Sequence, residues 1–235
     1  MKQKQTVWIT GVRSGVGEAL ATAFLEGGWR VFGSSRTRPR KDSVWHRHPD
    51  AHFVPLDVRS TASVQKAWLR IRDRVSSLDM LINNAGVTAF KEVVKTDPKE
   101  FGDIIDTNLT GLFLTTRAVL PSMRRRKKGT IVTILSYAAK TVYTMSGAYA
   151  ASKAGADMFL RVVREENRDA GIRVVNVFPG AVDTPMWSPS MRKDHGSSMM
   201  TAEHVASAVF DLTAIRTTVV PEEIVLRPEI GDLTI

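Results

Sequence analysis

The chain has 235 residues, with 33 Lys+Arg, 24 Asp+Glu, no cysteine and a formal charge of +9. At 43% hydrophobic it is too apolar for a disordered chain and long enough to bury one sizeable core. The lack of cysteine excludes a disulfide framework, a thiolate metal site and a catalytic thiol.

In chain order, the β-rich run Thr6–Thr10 comes first. A helix over Gly15–Gly28 follows, with Ala19, Leu20, Ala23 and Phe24 at helical spacing. Arg30–Ser34 and His52–Leu56 read as strands. Ala62–Val75 carries Val64, Trp68 and Ile71 on one helical face, and Leu78–Ile82 is a compact apolar strand. Pro98–Met123 predicts the longest helix, with Phe101, Ile105, Leu109, Leu112, Thr116, Leu120 and Met123 three or four residues apart. Strand Thr130–Leu135, helix Ala148–Arg168, strand Ile172–Phe178, helix Thr201–Ala214 and strand Glu223–Leu226 complete the chain. The alternation predicts an α/β fold: one doubly wound parallel sheet of Rossmann type, helices on both faces, in a single domain over 1–235. Such sheets bind ligands beyond the carboxyl ends of their strands, where strand order reverses.

No run approaches the ~18 apolar residues of a spanning helix. The amino-terminal apolar run, broken at Gly11, is too short for a signal peptide. We therefore expect a cytoplasmic protein with no membrane partner. Of two basic clusters, Arg124–Lys128 reads as a solvated surface: no aromatic residues interleave with it, so no nucleic-acid partner is expected. The other, Arg36–Lys41, lies near a candidate ligand site. His46, His48 and His52 lack acidic or thiolate partners at metal-ligand spacing, so no metal site is expected. The sequon Asn108-Leu109-Thr110 lies in mid-helix and is not read as a glycosylation site.

Between the first strand and first helix runs Thr10-Gly11-Val12-Arg13-Ser14-Gly15-Val16-Gly17. Glycines there permit a tight turn and close backbone approach to a pyrophosphate, whose charge suits a helix amino terminus. An acid binding the ribose of NAD is expected about 20 residues on. The second strand instead ends Gly33-Ser34-Ser35-Arg36. Arg36, with Arg13 in the turn, matches a 2′-phosphate in charge and geometry, so NADP(H) is expected over NAD(H).

Tyr149 and Lys153, four apart on a helix, project from one face. A nearby ammonium favours phenolate, and a tuned phenol can give a proton to a carbonyl oxygen as hydride reaches carbon. Ser136 ends a strand thirteen residues earlier, where its hydroxyl could bond the same oxygen.

In these elements the sequence resembles the short-chain dehydrogenase/reductase family, in its short single-domain branch. The matching residues are Thr10–Gly17, Asp57, Asn83-Asn84-Ala85-Gly86, Asn108, Ser136, Tyr149/Lys153 and Pro179-Gly180 with Thr184, in the family's order over about the first 185 residues. The resemblance implies catalysis by Asn108, Ser136, Tyr149 and Lys153. Tyr149 would be the acid/base and Ser136 would orient the carbonyl. Lys153 would lower the tyrosine pKa and hold the nicotinamide ribose, and Asn108 would hold a water linking Lys153 to solvent. It implies a cofactor groove formed by Gly11, Arg13, Ser14, Gly15, Val16, Gly17, Arg36, Asp57, Val58, Asn84, Ala85, Gly86, Tyr149, Lys153, Pro179, Gly180, Val182 and Thr184. Asp57 and Val58 would border the adenine, and Val182 and Thr184 would contact the carboxamide.

The resulting expectation is an NADP(H)-dependent oxidoreductase interconverting a ketone or aldehyde with an alcohol. The alternative is a non-catalytic NADP(H) sensor on the same fold. The stretch 185–200, with Met186, Trp187, Met191, Met199 and Met200, reads either as a substrate lid or as an ordinary loop. The carboxyl end lacks the glycine-rich finish usual in 3-oxoacyl carrier-protein reductases. A homodimer or homotetramer is implied through the helices 98–123 and 148–168.

Overall fold

Successive side chains of a strand point to opposite faces, and the first strand shows what this does to the chain. In the computed structural model, which describes residues 4–40, 43–215 and 219–233, β1 (Thr6–Thr10) sends Val7 and Ile9 into one core layer and Trp8 into the other. The first layer packs against Leu20 and Phe24 of α1 (Val16–Glu26) and Val205 and Val209 of α7 (Ala202–Asp211). The second packs against α2 (Thr61–Arg72), α4 (Gly111–Arg126) and α5 (Gly147–Asn167), through Val64, Val119 and Leu160. Phe24 is fully buried, which stabilises the fold by roughly 1.5–3 kcal/mol. Trp8 is buried too, but its indole N–H donates to Ser34 Oγ at 2.9 Å, so no polar group is stranded.

The other strands are β2 (Arg30–Ser35), β3 (Ala51–Pro55), β4 (Met80–Asn83), β5 (Gly129–Ile134), β6 (Ile172–Pro179) and β7 (Glu223–Leu226). All pair in parallel, in the order β3-β2-β1-β4-β5-β6-β7. This is the expected doubly wound sheet. The chain winds outward from β1 to β3, then returns to place β4 on the other flank of β1. The reversal opens a cleft at the carboxyl ends of β1 and β4. Gly33 of β2 is required by packing: a Cβ there would lie 1.9 Å from the indole of Trp45.

The expected long helix Pro98–Met123 is divided. Helix α3 (Pro98–Ile105) leads into a π-helical turn, Asp106–Thr110, and then into α4, which runs to Arg126. The reason lies in Asn108, buried in the wide turn, whose amide brackets the backbone of Val87. At the far end, Arg124–Arg126 occupy the last turn of α4, where positive charge offsets the carbonyl end of the helix. The Arg126 guanidinium also donates to Leu78 O, so this part of the basic run holds the fold. Lys41 of the other cluster lies outside the described residues.

The stretch 185–200 is not an open loop. It holds helix α6 (Pro189–His195), and its ends are tied by Met200 N to Ala181 O (3.0 Å) and Asp183 N to Met200 O (2.8 Å). Among the described residues no helix is long and apolar enough to cross a membrane. Nor do three His, Asp or Glu side chains gather there as a metal would need.

Candidate active site

The glycine turn is fastened to the end of β4. Asn84 Nδ2 donates to Thr10 O (3.0 Å) and Gly11 O (3.1 Å), while the N–H groups of Asn84 and Ala85 both donate to Thr10 Oγ1 at 3.1 Å. Nothing larger than glycine fits between them. A Cβ on Gly17 would stand 2.1 Å from Gly11 O, and one on Gly11, at φ +76°, 2.8 Å from Ala85 Cα. Gly15, at φ +59°, faces Thr184 across the cleft, and the amino terminus of α1 has no side-chain cap. Arg13 and Ser14 are exposed in the turn, and Val16 begins the helix.

The next group gathers around α5. Lys153 is 5% exposed and its ammonium donates to Ile134 O at 2.9 Å. That nitrogen lies 5.7 Å from the centre of the Tyr149 ring. Ser136, two residues beyond β5, caps the following turn, its Oγ accepting from Ala138 N. Asn108 Oδ1 accepts from Val87 N (2.9 Å), and Nδ2 donates to Val87 O (2.9 Å) and Ser152 Oγ (2.9 Å). Ser152 Oγ donates to Tyr149 O at 2.7 Å. Asn108 therefore braces both the loop after β4 and the helix turn that carries the tyrosine. A cavity of ≈ 10 Å³, about the space of one water, lies between Asn108, Thr133 and Lys153. A Cβ on Gly86 would meet Asn108 Oδ1 at 3.3 Å and Lys153 Nζ at 3.6 Å.

The short chain dehydrogenase model matches residues 5–195. The chain belongs to the short-chain dehydrogenase family. It is 32% identical to a sepiapterin reductase of Chlorobaculum tepidum, over 98% of each chain. Among solved structures it is similar to an alcohol dehydrogenase of Thermococcus sibiricus complexed with 5-hydroxy-NADP. That likeness has 26% identity, a TM-score of 0.88, and covers 99% of this chain and 100% of the other. A closed form of serine dehydrogenase complexed with NADP+ is similar at 27% identity and a TM-score of 0.87, covering 95% and 94%.

For a short-chain dehydrogenase, the electrostatics at α5 matter most. Burial disfavours the Lys153 ammonium and pulls its pKa down to about 8. Burial also pushes the Tyr149 phenol up, and the hydrogen bond from Ser136 opposes that rise. Before a cofactor binds, the main influence on Tyr149 is thus its surroundings rather than Lys153, whose nearest partner is a backbone carbonyl.

The remaining expected residues follow the ends of β2, β3 and β6. Pro179 ends β6, and Gly180 N donates to Leu226 O at 2.7 Å. Val182 is buried and bridges to Met200. Val58 packs against Gly111, where a Cβ would come within 2.7 Å of it. Asp57 is held by Arg59 through Nε (3.0 Å) and Nη2 (2.8 Å), which lowers its pKa. A groove of ≈ 420 Å³ joins Arg36 and Asp57 to Ser63, Lys66 and Arg70; Arg13 does not line it.

The turn geometry suits a dinucleotide. Gly11 and Gly17 let the turn pack closely on the end of β4, and the first amides of α1 are free of a side-chain cap. Several contacts at the site had no signal in the sequence. Phe90 and Trp187 stack at 5.0 Å and 13°, joining the loop after β4 to the 185–200 stretch. Arg192 pairs with Asp183 across that stretch. Arg227 lies 4.8 Å over Tyr137 and pairs with Asp232 at 2.9 Å, so the carboxyl-terminal segment reaches the loop after β5. The pairs Phe90–Trp187 and Tyr137–Arg227 join residues far apart in the chain, and periodicity carries no information about such pairs.

Proposed function

We propose that the chain is an NADP(H)-dependent oxidoreductase that interconverts a ketone or aldehyde with an alcohol, using Tyr149 as acid/base. The observation that carries this is the placing of the Lys153 ammonium 5.7 Å from the centre of the Tyr149 ring, with Asn108 braced on the same helix turn through Ser152. In the reductive direction the Tyr149 phenol donates its proton to the carbonyl oxygen. Ser136 Oγ hydrogen-bonds that same oxygen and fixes its position. The nicotinamide, when bound, supplies the hydride. Lys153 holds the ribose hydroxyls and, as an ammonium, favours the phenolate that remains. The cavity between Asn108 and Lys153 has room for the water through which the proton is replaced.

The preference for NADP(H) rests on Arg36 at the end of β2 and on the absence of an acid there. The stretch 185–200, tied at both ends and stacked on Phe90, acts as the substrate lid. A homodimer or homotetramer forms through α4 and α5, which leave Phe113, Met158 and Val162 exposed.

The test is NADPH consumption against pooled ketones, aldehydes, quinones and β-keto esters, with Tyr149→Phe beside the wild type. Turnover that disappears in the variant supports the proposal. Undiminished turnover in Tyr149→Phe refutes the acid/base role. Binding of NADPH with no turnover of any carbonyl refutes the reductase and favours a sensor. Equal or tighter binding of NADH refutes the cofactor preference.

A further inference from the structure

Helix α2 contains no acidic residue, and its Lys66 and Arg70 stand four positions apart. Like charges at that spacing oppose the helix that carries them. Both line the ≈ 420 Å³ groove into which Arg36 also projects from the end of β2. Among the described residues, none of these three cations has an ion-pair or hydrogen-bond partner. What sets them apart from other cations of the surface is that all three line one groove. The carboxylate in the groove, Asp57, is taken up by Arg59 on both oxygens. Three positive charges therefore face one groove whose lining carboxylate, Asp57, is already bonded to Arg59, at the carboxyl end of the sheet where the adenosine half of a dinucleotide belongs.

We propose that Lys66 and Arg70 join Arg36 in binding the 2′-phosphate of NADP(H), so that discrimination against NAD(H) is set by α2 as well as by the end of β2. This rests on the NADP(H) reading above. A phosphate monoester carries nearly two charges and three acceptor oxygens, enough for several donors at once. An ammonium and a guanidinium from one helix face, opposed by a guanidinium from the sheet, can surround it. A bare ribose hydroxyl offers no charge to hold the three together, so the groove distinguishes the two cofactors by electrostatics.

The experiment measures dissociation constants of 2′,5′-ADP and 5′-AMP by calorimetry at low salt. The proteins are the wild type, Arg36→Gln, Lys66→Gln, Arg70→Gln and the Lys66→Gln/Arg70→Gln pair. These probes need no turnover. In the wild type, 2′,5′-ADP binds more tightly than 5′-AMP. Each α2 substitution lowers that ratio about two- to fivefold, as for solvent-exposed ion pairs, and the pair lowers it about tenfold or more. The affinity for 5′-AMP stays unchanged. The three side chains are exposed, so the variants keep the wild-type melting temperature, and Lys66→Arg keeps the wild-type ratio. If the α2 pair retains the full ratio while Arg36→Gln loses it, the role of α2 is overturned and the NADP(H) reading stands. A wild type with no 2′-phosphate advantage overturns both. Equal weakening of both nucleotides by the α2 variants marks a general charge effect and also overturns the assignment.

Discussion

Replacing Asn108 by alanine tests whether the π turn is a brace for the site. The side chain is 3% exposed and makes three hydrogen bonds, two to Val87 and one to Ser152. Each is worth about 1 kcal/mol, and the partly buried Val87 amide left without an acceptor adds a desolvation cost of similar size. The expected loss is therefore about 3–4 kcal/mol. For a chain of this size that lowers the melting temperature by roughly 6–15 °C. The loss should be larger at neutral pH for Asn108→Asp: a carboxylate still accepts from Val87 N, but it donates to neither Val87 O nor Ser152 and turns charge toward both oxygens. Thermal unfolding followed by circular dichroism gives the shift. The double substitution Asn108→Ala/Ser152→Ala measures the coupling, and the two effects should be less than additive. A melting temperature within 2 °C of wild type, or strictly additive effects, would refute the reasoning. The first would mean that water replaces the amide at no cost, the second that Asn108 and Ser152 do not act as one network.

The low pKa of Lys153 gives stability a pH dependence. Its folded value of about 8 lies below the unfolded 10.5, so between those values the unfolded chain holds the extra proton and stability rises with pH. The gain, at most about 3 kcal/mol by pH 10.5, should vanish in Lys153→Met; parallel pH profiles for the two proteins would contradict the burial argument. The stack of Trp187 on Phe90 ties the 185–200 stretch to the loop after β4. An aromatic pair is worth about 0.5–1.5 kcal/mol, so Trp187→Ala should speed tryptic cleavage after Arg192 and Lys193 about three- to tenfold. An unchanged cleavage rate would show that the stack does not restrain the segment.

Much of the architecture is written in local patterns. Strand runs of β-branched residues and helical repeats of apolar residues placed the seven strands near their final bounds, with β7 at Glu223–Leu226, while α6 had no such signal. The misplacements are instructive. Leu78 is buried and apolar, yet it precedes β4, which begins at Met80; an apolar residue announces burial and not hydrogen-bonded pairing. The repeat from Phe101 to Met123 is continuous enough to predict one helix, and only the demand of the Val87 backbone for the Asn108 amide opens the π turn within it.

The catalytic candidates were legible because their residue types are chemically specific and their spacing follows one helix or one strand end. Tyr149 and Lys153 are four apart on α5, and the glycines sit where a turn must be tight. The sequence alone thus determined the parallel sheet and its doubly wound class, since these follow from periodicity and turn residues. The tertiary structure decided what no local pattern encodes: that Lys66 and Arg70 share a groove with Arg36, that Phe90 meets Trp187, and that Asn108 reaches Tyr149 through Ser152. These depend on how separate elements pack, and contacts between residues dozens of positions apart are fixed only when the core closes.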